Sequence, residues 1–356
     1  MQIIKTIFLN TIEKRLRAIW RLGLHTLLLL ILAGGFSIAF LLLALIVSGG
    51  LGINFSEGIL IRDSMVGLNN PWISSVIIPL TTFMGVFLAT LICGKWIDHR
   101  KFTAFGFHFS KAWWEEFCFG LFLGAILMGS IFLLGWRTGI IRITGFFETV
   151  YGTGKFLPGF IQSLILYVLV GFYEELLSRG YHLINLAEGL KINIKSKRNA
   201  LLLALILSSV VFGLLHRNNP NATWLSTLNV SLAGIFLGLG MVLTGNLAIS
   251  IGLHITWNLF QGNIFGFAVS GTRMGATFIA TESVGPAWLT GGLFGPEAGV
   301  MGLTAMVIGS VIIILWERRK GSVSLKENLA EYKPLVHESK IESSSQEIND
   351  SSKGIE

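Results

Sequence analysis

Residues 171–180 read GFYEELLSRG, and they put Glu174, Glu175 and Arg179 near the end of an apolar run that starts at Gly159 and is otherwise uncharged. An ionised carboxylate in hydrocarbon costs about 2.5–3.5 kcal/mol on insertion scales. Two neighbours cost more, because like charges side by side resist joint ionisation. A helix keeps such residues where they face the protein interior and find partners. Glu175 and Arg179 are four residues apart, so they share a helix face and can pair. Glu174 lies about 100° round the helix and shares that arginine less easily. One carboxylate is then held by the cation while its neighbour has a freer proton, and carboxylates in different environments are how a site separates acid from base roles. The plainer alternative is a structural ion pair near the helix end, with Arg179 reaching out to the interface.

The histidines bear on that choice. His99 and His108 fall in the basic, aromatic stretch 95–114, His25 and His182 near span ends, and His337 in a polar tail. His216 closes VVFGLLH, four residues after Phe212, and His254 lies four residues before Asn258 in AISIGLHITWNLFQG. A lone histidine on a membrane helix is ordinarily a hydrogen-bonded packing residue. Two histidines, an asparagine and two glutamates on three separate helices each need a partner in lipid, and one shared polar cavity supplies it for all of them. Carboxylate and imidazole serve as general bases. Asparagine and histidine can donate hydrogen bonds to a developing oxyanion.

At these positions the sequence resembles the CAAX-protease and bacteriocin-processing family (CPBP), whose best-known branch is the Ras-converting CAAX endopeptidase. EELLSR, from Glu174 to Arg179, is similar to its EExxxR motif; FGLLH, from Phe212 to His216, to its FxxxH motif; HITWN, from His254 to Asn258, to its HxxxN motif. The three stand in the family's order, and the resemblance spans about residues 157–265. It implies an intramembrane endopeptidase in a bundle of about eight helices. Glu174 and His216 would hold and activate the attacking water, Glu175 would assist, and Arg179 would order the glutamates. His254 and Asn258 would stabilise the oxyanion, and Phe212 would pack beside the site. The family has been described both as metalloprotease and as glutamic protease. If zinc is bound, Glu174, His216 and His254 would be its ligands, with water in the fourth place. HExxH is absent from the sequence, and Asn258 is a poor zinc ligand, so a metal-free, cofactor-free glutamate mechanism is favoured.

The elements that must position these residues are membrane helices. The 356-residue chain is 52% hydrophobic and 13% charged, against about 25% charge in soluble domains. Eight apolar stretches approach the roughly 20 residues that cross a bilayer: 23–48, 72–94, 115–136, 157–181, 199–216, 223–243, 246–268 and 299–317. The fold class is therefore an all-α polytopic bundle. Residues 1–22 read as a basic amphipathic arm on the membrane surface, the glycine-rich 269–298 as a long, partly re-entrant loop, and 319–356 as a polar, disordered tail. Cys93 and Cys118 sit in or beside apolar runs and suggest no disulfide or metal site. No basic helix or aromatic-basic array supports nucleic-acid binding. The expected partners are the lipid bilayer and a peptide or membrane-protein substrate.

Lysine and arginine gather in the arm, in 95–111, in 191–198 and in 318–326, whereas the alternate loops are poorer, apart from the third with Arg137, Arg142 and Lys155. That balance puts both termini in the cytoplasm, and the expected location is a bacterial cytoplasmic membrane. One conflict stands in this layout. At 1.5 Å per residue, His216 lies ~27 Å from Arg198 but His254 only ~12 Å from Asn246. A fourth helix running on to Leu190 would place Glu174 ~24 Å from its end, in agreement with His216. Two other functions fit the same residues: a non-enzymatic immunity or scaffold protein of this fold, and a proton-coupled transporter with a Glu/His relay. The transporter reading lacks a visible internal repeat.

Overall fold

The computed structural model describes residues 7–10, 13–49, 76–149 and 155–332. The expected N-terminal arm lies only partly within them, and 333–356 of the tail lie outside. The helices are α1 (Ala18–Gly49), α2 (Ile78–Trp96), α3 (Lys111–Arg137), α4 (Phe156–Glu175), α5 (Leu183–Lys191), α6 (Lys197–Leu215), α7 (Trp224–Thr244), α8 (Ala248–Leu259), α9 (Ala287–Thr290) and α10 (Val300–Arg318). Seven helices among the described residues are long and apolar enough to cross a membrane; one of them runs unbroken from Phe156 to Lys191. The chain is a polytopic helical membrane protein. Leu30, Ile31, Ile38, Leu133, Leu134 and Val307 are all exposed, as a bilayer-facing surface requires.

Local signals set the helix ends. The Ser110 hydroxyl accepts from the Trp113 N–H at 3.2 Å to open α3. Ser196 does the same for α6 through Asn199. Thr223 and Ser226 form a reciprocal capping box at α7, and Gly245, left-handed at φ 77°, ends it.

The expected span 246–268 is corrected. It is a buried 12-residue helix, α8, prolonged by a π turn over Phe260–Ile264. It packs on α3, and glycines make the approach possible: a Cβ on Gly124 would collide with the Leu253 carbonyl and Thr256, and one on Gly252 with the Phe117 carbonyl. The turn before α8 is sunk into the protein. The Leu247 N–H donates to the Gly106 carbonyl at 3.0 Å, and the Asn246 amide donates to Glu116 at 2.9 Å. With α8 starting at depth and α4 continuing to Lys191, the conflict between the heights of His216 and His254 disappears.

Three further expectations are revised. The stretch 269–298 is not one loop: β4 (Ala276–Ser283) pairs antiparallel with β3 (Ile141–Thr149), with Arg142 opposite Glu282. This strand pair is tied to the start of α4 by Phe147, whose ring centroid lies 5.4 Å from that of Phe156, and by Phe278, 4.9 Å from those of Phe156 and Phe160. Within the described part of the arm, β1 (Leu9–Asn10) pairs with β2 (Arg15–Leu16), a strand pair in place of the expected amphipathic helix. Arg15 and Arg21 turn inward because Glu188 and Asp98 receive them. Residues 319–332 fold back on the bundle, with Leu329 and Ala330 buried and the Lys326 N–H bonded to the Val242 carbonyl. Both ends of the described chain therefore sit at one end of the bundle.

Candidate active site

Glu174 and Glu175 are the last two residues of α4, and Leu176–His182 continue as a π segment. Widened turns of this kind recur at functional sites. Arg179 lies in this segment. Its Nη1 donates to Glu175 Oε1 at 2.8 Å and its Nη2 to the Gly234 carbonyl on α7 at 3.0 Å. Its guanidinium lies 4.3 Å from the ring centroid of Phe212 on α6. One buried cation thus fastens three helices, and the expected pairing of Glu175 with Arg179 is present.

The same Glu175 oxygen receives His254 Nδ1 at 2.8 Å. His216 Nδ1 donates to the Phe212 carbonyl at 2.8 Å. Carboxylate and carbonyl oxygens only accept, so in both rings Nδ1 carries the hydrogen and Nε2 is the free corner. The two free corners face one atom. Glu174 Oε2 lies 4.0 Å from His216 Nε2 and 3.9 Å from His254 Nε2. These separations exceed a direct hydrogen bond, and that oxygen is buried with no hydrogen-bond partner among the described residues. Asn258 sits one turn beyond His254. With Phe212, His216 and His254 it lines a cavity of about 50 Å³.

The structure therefore brings together all the singled-out residues. Glu175 and Arg179 form a fixed base and Phe212 a wall; His216, His254 and Asn258 line one small cavity, and Glu174 faces the two histidines that line it. A neutral His254 with its hydrogen on Nδ1 has only a lone pair at Nε2. It donates to an oxyanion only when doubly protonated, whereas the Asn258 amide donates in any state.

Sequence reading missed Glu297, which lines the same cavity from a short 3₁₀ turn, Pro296–Ala298. Its Oε1 accepts from the Ser270 N–H at 2.6 Å, and its Oε2 from the Gln261 amide. Gly295 lets the loop fold onto it, since a Cβ there would strike the Ala268 carbonyl and the Gln261 amide. Burial pushes the Glu297 carboxyl up to about 7, against the pull of the Ser270 and Gln261 hydrogen bonds. A signal was present in the sequence: Glu297 is the one charge in the run 283–316.

Among the described residues no group of three or more His, Cys, Asp and Glu is arranged to hold a metal ion. Glu174, His216 and His254 come nearest. Their histidines have the carboxylate and carbonyl partners at Nδ1 that metal ligands also use. Their donor atoms are 3.9–4.0 Å apart, wider than the roughly 3.3 Å between neighbouring donors on tetrahedral zinc. As placed, they do not close a zinc site.

The architecture and site define a polytopic membrane protein with a buried carboxylate–imidazole centre. Residues 156–260, from the start of α4 to the end of α8, match the family described as type II CAAX prenyl endopeptidase Rce1-like. A search of curated proteins returns no match. The matched segment contains every motif residue, and over this part of the chain the match supports a membrane protease of the CPBP type.

Proposed function

We propose that this protein is an intramembrane endopeptidase of the glutamic type, using water held by Glu174 and His216. The observation that carries this reading is the unpartnered Glu174 Oε2 set between two imidazole Nε2 atoms at 3.9 and 4.0 Å. A water bonded to Glu174 and to one ring spans such a gap. Glu174 takes a proton from that water as its oxygen adds to the scissile carbonyl. The Asn258 amide donates to the oxyanion, joined by His254 when its ring carries a second proton. As the C–N bond breaks, the proton on Glu174 passes to the leaving amine, so protons balance over the cycle. Glu175 and Arg179 are positioning residues that fix His254 and the end of α4. The sequence distribution of lysine and arginine supports both termini in the cytoplasm.

The test is cleavage of a peptide library by purified protein in detergent, wild type beside Glu174→Ala, each with and without a zinc chelator. Expected is cleavage by the wild type, unchanged by chelator and lost in the variant. Cleavage abolished by chelator would move the mechanism to a metal. Cleavage surviving in Glu174→Ala would remove the assigned base.

A further inference from the structure

The two ends of the bundle differ in charge. At the end carrying both ends of the described chain stand Lys14, Arg15, Arg17 and Arg21 before or at the start of α1, Lys95 in the last turn of α2 with Arg100 and Lys101 after it, and Lys111 at the start of α3. Lys191 to Arg198 between α5 and α6, and Arg318 to Lys326 after α10, join them there. Contacts confirm the grouping: Arg21 meets Asp98, Arg15 meets Glu188, Lys197 meets Glu331 and Lys320 meets Glu116. At the opposite end the described lysines and arginines are Arg137, Arg142, Lys155, Arg217 and Arg273, with Glu148, Glu282 and Glu297 beside them. They lie at or near the ends of helices and in the connections between them, where this bias orients a membrane protein.

The site is closed towards the basic end. Below Glu175 and Arg179 the core residues Tyr181, Leu201, Ala204, Met241 and Leu247 are all 0% exposed. The loop carrying Phe105 and Phe107 lies across the sunken turn before α8, where Leu247 bonds to Gly106. Exposure rises in the other direction. The Glu175 side chain is 0% exposed and that of His254 8%, while His216 reaches 15% and Glu174 19%. His216 terminates α6 at the end away from the termini. The connection after it is latched to the cap formed by 260–299: the Asn219 amide donates to the Ser270 carbonyl at 3.2 Å, and the Asn221 amide to the Gly271 carbonyl at 3.4 Å. Phe294 and Ala298 of the cap pack with Phe212 and Val230, beside the cavity that Ser270 and Glu297 also line.

We propose that the cavity opens only on the face opposite the termini, so that this protein acts on polypeptide segments at the extracytoplasmic side of the membrane. The assignment of a substrate rests on the peptidase reading; the direction of opening does not. A chain reaching Glu174 from the cytoplasm would have to pass through the closed core around Tyr181 and Met241. A segment lying in the outer leaflet or emerging from it meets the half-open side of Glu174 and His216, under the cap.

The test is cysteine accessibility in intact bacteria expressing the full chain, with Cys93 and Cys118 replaced by serine. Asn258→Cys reports the cavity, Arg273→Cys the cap, and Lys111→Cys the basic end. A small, membrane-impermeant methanethiosulfonate is added to whole cells and, separately, to inside-out vesicles. Expected is modification of Asn258→Cys and Arg273→Cys in whole cells only, and of Lys111→Cys in vesicles only. Modification of Asn258→Cys from the vesicle side, or from neither side, overturns the proposal, as does modification of Lys111→Cys in whole cells. Arg273→Cys keeps the test decisive if the cavity variant fails to fold. None of these readings depends on cleavage, so their failure is separate from failure of the Glu174→Ala experiment.

Discussion

The molecule holds two buried clusters of charge, and they are built to opposite ends. At the basic end Arg15, Arg21 and Arg100 enclose Asp98 and Glu188. Arg15 Nη2 lies 2.5 Å from Glu188 Oε2, Arg21 Nη1 2.7 Å from Asp98 Oδ1, Arg100 also meets Glu188, and Tyr332 stacks 3.5 Å from the Arg15 guanidinium. Each carboxylate there faces more than one arginine. In the bundle interior Glu174 and Glu175 share one arginine, and Glu175 takes it, leaving a Glu174 oxygen without a partner. Carboxylates that each meet several arginines hold chain segments together. A carboxylate left short of partners keeps its basicity for another molecule, and the fold must bear the cost of burying it.

Breaking each cluster in turn should separate the two roles. The largest effect is expected on catalysis: Glu174→Gln should lower kcat/KM by about 10²–10⁴, the span of a lost general base. Its melting temperature in detergent should not fall, because no hydrogen bond to that oxygen is lost. Glu188→Ala should do the reverse, costing about 3–5 kcal/mol of stability by leaving buried arginines unpaired. Denaturant unfolding would show it, with cleavage by the folded fraction retained.

Asn258→Ala tests the geometry within the site. It should reduce kcat by about 10²–10³ with KM little changed, the pattern of an oxyanion donor. A smaller loss falls on the C-terminal strap: Tyr332→Ala should cost about 0.5–2 kcal/mol, the range of a cation–π contact, and should free 319–332 to proteolysis.

Glu297 gives the smallest effect, visible as a slope. Its carboxyl is raised from 4.5 to about 7 in the folded chain. The folded state then holds a proton that the unfolded state has released, so this residue's contribution to stability declines as pH rises from about 4.5 through about 7. Melting temperatures measured between pH 5 and 8 should fall for the wild type relative to Glu297→Gln. Parallel curves would show that the Glu297 carboxyl does not change its proton on folding over that range.

The interior cluster was legible in the sequence and the basic one was not. Glu174, Glu175 and Arg179 stand out because they interrupt an apolar run, and their i, i+4 spacing forecasts the Glu175–Arg179 pair that forms. Arg15, Arg21, Asp98, Arg100 and Glu188 sit in segments already rich in charge, where nothing local separates a buried ion from a solvated one. The same masking let 319–332 read as disordered tail, though Leu329 and Ala330 are buried. The apolar run 246–268 read as a crossing because hydropathy does not distinguish a lipid-facing helix from one buried on every side, as α8 is.

The sequence by itself determined that the chain is a polytopic membrane protein and named the residues of its interior site. Hydropathy and spacing along one helix are short-range properties, written in consecutive residues. Only the tertiary structure decided the depth of α8, set by the glycine contacts between α3 and α8 and by the anchoring of Leu247 to Gly106. It also decided which histidine nitrogen is free and the membership of Glu297 in the cavity. Each depends on which distant segments touch, and contact is settled by shape and polar partners that no single stretch of chain contains.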